Sequence, residues 1–145
     1  MKITIDRLND DTYMEARNEY GNAVHIDGAK ENAQGVRPMQ LLLMAVGSCS
    51  AIDIIGILKK QKQNPEDFKI EVDGEREKMG TYSLFRKIHI HYKFYGDIDE
   101  KKAERAINLS LDKYCSASKT LEHTAEINYS FSINDVEETV NRKQG

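Results

Sequence analysis

Cysteine is scarce in this chain: Cys49 and Cys115 are the only two among 145 residues. With so few, far apart in sequence, a permanent disulfide scaffold is not expected, and the pair reads as free thiols or a transient redox couple. Short metal-ligand spacings are missing too. There is no Cys-x-x-Cys, and His25, His89, His91 and His123 contain no His-x-x-x-His pair, so no structural zinc site and no cofactor are expected. Concentrated positive charge is lacking as well. Acids and bases are interspersed, with a formal net charge of -3 and a pI near 5.8, which gives no footprint for nucleic acid. The start, Met1-Lys2-Ile3-Thr4-Ile5-Asp6, lacks an apolar stretch followed by a small-residue cleavage site, so a reducing, cytoplasmic location is expected. One segment alone, residues 39–58, approaches membrane-spanning length, and Gln40, Ser48, Asp53, Gly47 and Gly56 interrupt it. A buried helix rather than a membrane span is expected there.

What is present describes one globular domain over residues 1–134, followed by a polar tail over 135–145 that is expected to be disordered or a frayed helix. Ile3 and Ile5 alternate with polar neighbours, and after Asn9-Asp10-Asp11 a second short run covers 12–16, which reads as a hairpin. Gly21-Asn22 signals a turn, 23–26 a third strand ending at Asp27-Gly28, and 29–36 a polar loop. Pro38 suits the first turn of a helix, Lys59 and Lys60 complement the negative end of its dipole, and Asn64-Pro65 stops it. Phe68, Ile70 and Val72 then alternate with polar residues. After a turn near Gly80, Ile88, Ile90, Tyr92 and Phe94 share one strand face and His89, His91, Lys93 and Tyr95 the other, implying an antiparallel sheet with one dry and one wet side. Asp99 caps a helical region whose apolar face runs through Ala103, Ala106, Ile107, Leu111, Tyr114, Ser118 and Leu121, with Cys115 on that face. Ile127, Tyr129, Phe131 and Ile133 form the last strand.

The fold class is therefore α+β, with helices packed on antiparallel sheet. The 39–58 helix is apolar nearly all round, and a chain this short has too few elements to cover it. Burial by a second subunit, in a homodimer, is the expected remedy.

Four local features resemble one known family, the OsmC/Ohr proteins, which include thiol-dependent hydroperoxide reductases. These are Arg37-Pro38-Met39-Gln40-Leu41-Leu42, similar to the family's Asn-Pro-Glu helix start; Cys49 midway along that helix; residues 53–58 continuing it; and Tyr114-Cys115-Ser116-Ala117-Ser118-Lys119-Thr120-Leu121, similar to the second-cysteine motif. The order of elements agrees from about Lys2 to Ile133. The resemblance implies an OsmC-like fold: antiparallel sheets wrapped around a long buried central helix in an intertwined homodimer, with the cysteines close to the subunit interface. It further implies that Cys49 attacks a peroxide, Cys115 resolves the sulfenic acid as a disulfide, and a dithiol reductant restores the pair.

In the family an arginine from the N-terminal sheet ionises the attacking cysteine and is held by a glutamate directly after the proline. Here that position is Met39, with Gln40 beside it offering only a neutral amide. An ungapped match puts Glu19 where the arginine should be, a two-residue shift brings Arg17 there, and Arg37 is a second candidate; Arg17 is assigned the role. Asp53, one helical turn beyond Cys49, would raise a neighbouring thiol's pKa. His89 and His91 have a spacing that could chelate a metal, but the wet face of a sheet accounts for them. His25 and His123 look isolated. Gly47 serves either close helix packing or substrate access to the sulfur.

Three functions follow from these residues: a thiol peroxidase acting on small organic hydroperoxides or hydrogen peroxide, a non-catalytic protein binding a small apolar or electrophilic ligand in the cysteine pocket, or a domain whose cysteines only pack.

Overall fold

A computed structural model describes residues 1–140 of the chain; the end of the expected polar tail, 141–145, lies outside the described residues. The chain divides into two compact units, residues 1–42 and the remainder.

In the first unit β1 (Thr4–Arg7), β2 (Met14–Arg17) and β3 (Ala23–Ile26) form an antiparallel sheet in that order. Asn9 closes the first hairpin, its Oδ1 accepting the backbone N–H groups of Asp11 and Tyr13. An isolated parallel bridge between Ile26 and Val36 pins the loop that follows. Inside the loop the carboxylate of buried Asp27 accepts the Thr12 hydroxyl at 2.9 Å and the backbone N–H groups of Ala29 and Gln34 at 3.0 Å each. These donors hold the Asp27 carboxyl below the usual carboxylate range, the Gln34 and Ala29 amides most strongly. A three-stranded sheet this short has little to pack on, and Ile3, Ile5 and Val24 remain exposed.

Helix α1 spans Pro38–Lys60. Its start is locally encoded: Pro38 occupies the position that needs no N–H, and the Gln40 side-chain oxygen reaches back to the Arg37 backbone N–H at 2.9 Å, the return half of a capping box. Gln40 is therefore a helix-capping residue rather than a partner for an arginine side chain. Its exit carries Lys59 and Lys60.

The second unit is built on a four-stranded sheet in the order β4 (Asp67–Lys78), β5 (Ser83–Tyr95), β6 (Glu126–Ile133) and β7 (Val136–Glu137). β4 and β5 pair antiparallel with an irregularity at Glu75/Arg76, but β5 and β6 are parallel. The expectation of wholly antiparallel sheets is corrected here: the chain between them crosses back as helix, which returns it to the same end of the sheet. Part of the tail is also ordered differently from the expectation, since Val136 and Glu137 add an edge strand and Glu138 N–H bonds Phe131 O at 3.0 Å.

Ile88, Ile90, Tyr92 and Phe94 are buried, as the alternation predicts, while His89 is exposed. On the dry face Phe68 stacks on Phe94 at 4.7 Å between centroids, and Phe131 meets Phe94 edge-on at 6.3 Å. Val46, Gly47, Ser50, Ile54 and Leu58 form the buried stripe of α1, at the three- and four-residue spacing of one helix face. Buried Tyr92 donates to Ser50 Oγ at 2.8 Å, tying this stripe to the central strand. On the opposite side of α1, among the described residues, Met44, Ile52 and Ile55 are exposed, Ile52 at 71%. By length and composition α1 could cross a bilayer, but it is packed on the protein's own sheet and carries Asp53 in its interior.

Asp99 caps α2 (Glu100–Leu109) by accepting the Lys102 N–H at 2.9 Å. The helical region expected to run unbroken to Leu121 is then interrupted. A π-helical turn covers Ser110–Tyr114, Cys115 is extended with φ -74° and ψ 102°, and α3 begins at Ser116 and ends at Leu121. The Cys115 N–H reaches back five residues to Ser110 O at 2.7 Å. This wide turn displaces the helical register, so Tyr114 is exposed instead of joining the apolar face, and Cys115 is buried at a break rather than within a helix.

Candidate active site

Cys49 and Asp53 stand one turn apart on α1 and so share a face. Cys115, some sixty residues later, is turned toward them by the break before α3. One ligating atom from each of Cys49, Asp53 and Cys115 lies within 4.8 Å of the others. Cys49 is partly accessible and Cys115 fully buried. Both are free thiols, close enough for either to act on the other.

The three groups are held from outside. Buried Ser110, in the π-helical turn, donates its hydroxyl to Asp53 Oδ2 at 3.0 Å and lies 3.4 Å from Ser50 O. Cys115 occupies the cap position of α3, its sulfur accepting the Ser118 N–H at 3.4 Å, while Ser118 Oγ donates to Cys115 O at 2.9 Å. Burial pushes the Cys115 thiol up; the Ser118 amide opposes this and the neighbouring Cys49 adds to it. Cys115 is thus a buried thiol next to a more accessible one. An open cleft of about 480 Å³ adjoins Asp53, lined among others by Ile52, Ile57, Lys60, Arg105 and Leu109.

Arg17 lies on β2 in the first unit, its side chain half exposed and paired with Glu15. Each raises or stabilises the charge of the other: Arg17 holds the Glu15 carboxyl down, and Glu15 holds the guanidinium up. Glu15 also faces His25 Nε2 at 3.5 Å, and His25 stacks on Tyr13, so His25 is not isolated. A carboxylate for the arginine therefore exists, supplied by its own strand. The sequence carried that signal, because residues two apart on a strand point the same way. Arg37, the second candidate, donates to Gly28 O and Ala29 O in the loop before α1. Glu19 faces the N-terminal ammonium at 3.9 Å.

His89 Nε2 and His91 Nδ1 both contact Ser130 Oγ, at 2.8 and 2.6 Å, on the wet face. Gly47 serves packing: a Cβ there would stand 2.9 Å from Val72 Cγ2. Ser110 went unnoticed in the sequence, where nothing in its spacing connects it to Asp53.

A family profile described as OsmC-like protein matches residues 29–130. Protein YhfA of Escherichia coli K12 is 34% identical over 114 residues, covering 78% of this chain and 84% of YhfA. Among solved structures, an OsmC-like protein from Mycoplasma pneumoniae superimposes with a TM-score of 0.78 at 23% identity, covering 91% of this chain and 95% of that one. The organic hydroperoxide resistance protein OhrB of Bacillus subtilis gives 0.67 at 16% identity, covering 91% and 98%. The latter two establish likeness of fold. With the family profile spanning most of the chain and a relative above 30% identity, the paired cysteines sit in a familiar frame: the chain belongs to the OsmC/Ohr family.

Proposed function

We propose that the protein is a cytoplasmic two-cysteine thiol peroxidase, acting on small organic hydroperoxides or hydrogen peroxide, with Cys49 attacking and Cys115 resolving. The observation that carries this is the approach of the two sulfurs, from separate elements, to within 4.8 Å. In the first step the Cys49 thiolate attacks the outer peroxide oxygen. The O–O bond breaks, the alcohol or water leaves with a proton, and Cys49 is left as a sulfenic acid. Cys115 then displaces hydroxide from that sulfur, giving the disulfide and water. An external dithiol reduces the disulfide to two thiols and is itself oxidised.

The partial exposure of Cys49 suits the attacking role, and the placement of buried Cys115 beside that sulfur suits the resolving one. The Arg17–Glu15 pair is the proposed activating cation with its carboxylate, taking over from the glutamate that Met39 replaces. The exposed apolar residues Met44, Ile52 and Ile55 of α1, and Ile3 and Ile5 of the N-terminal sheet, support assembly as a homodimer that buries them. The name of OhrB, a hydroperoxide resistance protein, agrees with this substrate class.

The test is peroxide consumption by reduced protein in the presence of a dithiol. Cys49→Ser should abolish turnover, while Cys115→Ser, assayed with the dithiol removed, should consume one equivalent and stall as a sulfenic acid that dimedone traps. Undiminished turnover in Cys49→Ser overturns the proposal. Met39 motivates a second reading, in which the same pocket binds a small electrophile or apolar ligand without turnover; ligand-dependent stabilisation with both thiols intact after peroxide would favour it.

A further inference from the structure

The peroxidase reading uses two sulfurs and leaves Asp53 unexplained. Asp53 is nevertheless held in place by the buried Ser110 hydroxyl on one of its oxygens. Among the described residues of its own unit Asp53 makes no ion pair. Two thiols and a carboxylate whose ligating atoms lie within 4.8 Å of one another would repel if all were ionised, and a divalent cation among them would remove that repulsion.

We propose that the reduced protein binds one thiophilic divalent cation, of which zinc is the natural choice, through Cys49 Sγ, Cys115 Sγ and an Asp53 carboxylate oxygen, with the fourth position open. Tetrahedral zinc with these donors needs ligand atoms about 3.6 to 3.8 Å apart. Side-chain rotations that draw the three together by about 1 Å satisfy this. The Ser110 hydroxyl plays the part of the outer partner that orients a ligating carboxylate. Cys49 and Asp53 supply the close pair of ligands in sequence, four residues apart on one helix face; the usual search for short Cys or His spacings passes over such a pair. Binding releases the thiol protons. The site also acts as a regulator: metal on the sulfurs blocks attack on peroxide. Conversely, peroxide oxidation of the bound dithiolate, two thiolates and ROOH with two protons giving the disulfide, ROH and water, discharges the metal.

The binding half stands on the geometry alone, and only the regulatory half rests on the proposed peroxidase activity. The experiment titrates reduced, chelator-stripped protein with cobalt(II) and zinc(II), reading sulfur-to-cobalt charge-transfer absorption and bound zinc per chain. One metal per chain is expected, competed by zinc. Cys49→Ser and Cys115→Ser, each checked for folding by circular dichroism, should lose the charge-transfer band, and Asp53→Asn should weaken binding by at least about tenfold. Absence of the band in folded wild-type protein, or a Cys115→Ser variant with unchanged affinity, overturns the site; unchanged affinity in Asp53→Asn overturns the carboxylate ligand. Turnover by the stripped protein is measured separately. If stripped protein is inactive but binds metal, the peroxidase reading falls and the site stands; activity without metal binding gives the reverse.

Discussion

Gly47 and Gly56 lie on the same helix and invite the same substitution, with opposite expected results. Glycine to alanine inside a helix gains about 0.8 to 1 kcal/mol from backbone propensity alone. At Gly56 a Cβ meets nothing within 4 Å, so Gly56→Ala should gain that amount. At Gly47 the new Cβ would stand 2.9 Å from Val72 Cγ2 and 3.8 Å from Ile70 Cγ2. Carbon atoms prefer about 3.5 to 4.0 Å, so α1 and β4 must part by about 0.6 Å or more, because the β-branched Val72 side chain is restricted at χ1. Overpacking of that kind costs about 1 to 3 kcal/mol. Set against the propensity gain, Gly47→Ala should be destabilised by up to about 2 kcal/mol and lie about 1 to 3 kcal/mol below Gly56→Ala, a difference from which helix propensity cancels. Urea unfolding followed by far-ultraviolet circular dichroism measures both midpoints. A Gly47→Ala protein at or above the wild-type midpoint refutes the argument that helix and sheet need this glycine to meet.

Other perturbations test separate parts of the structure. Tyr92→Phe removes a buried hydrogen bond to Ser50 and should cost about 1 to 3 kcal/mol; a double-mutant cycle with Ser50→Ala should show coupling above about 0.5 kcal/mol, and additive effects would mean that the two residues do not act together. Asp27 has a depressed carboxyl pKa, so the unfolded chain binds more protons than the fold as acid is added. Its stabilisation is complete above the unfolded value of roughly 3.9 and is lost as pH falls through the lower folded value. Asp27→Asn should therefore be less stable at neutral pH and flatten the acid limb of stability against pH; an unchanged limb counts against the loop geometry. If the proposed homodimer forms through α1, Ile52→Glu at its most exposed apolar position should shift sedimentation from dimer to monomer, and an unaltered dimer would exclude that face from the interface.

Much of the architecture was legible because periodicity reports burial. The 23–26 strand, the Pro38 start and Lys60 end of α1, and the buried set Ile88, Ile90, Tyr92 and Phe94 all match the sequence pattern, since each depends on neighbours within a few residues. Parallel pairing of β5 with β6 was not legible: side-chain alternation is the same in either orientation, and only the path of the crossover decides it. The break at Cys115 was hidden for a related reason. Its flanks carry a good helical pattern, and the π-helical turn is anchored by the hydrogen bonds of Ser110 to Ser50 and Asp53 of α1, which are tertiary. The Arg17–Glu15 pair was legible, because the two share a strand face.

The sequence by itself determined the two thiols, the apolar helix that carries one of them, the α+β order of elements and the family. These are properties of composition, local pattern and motif, and they survive without knowledge of any long-range contact. Tertiary structure alone decided that Cys49, Asp53 and Cys115 converge and that Ser110 holds the carboxylate. It also decided which stripe of α1 is buried and which is left exposed. The physical reason is distance along the chain: α1 and the turn before α3 meet only because both pack on the same core, and no local signal records which of their side chains will touch.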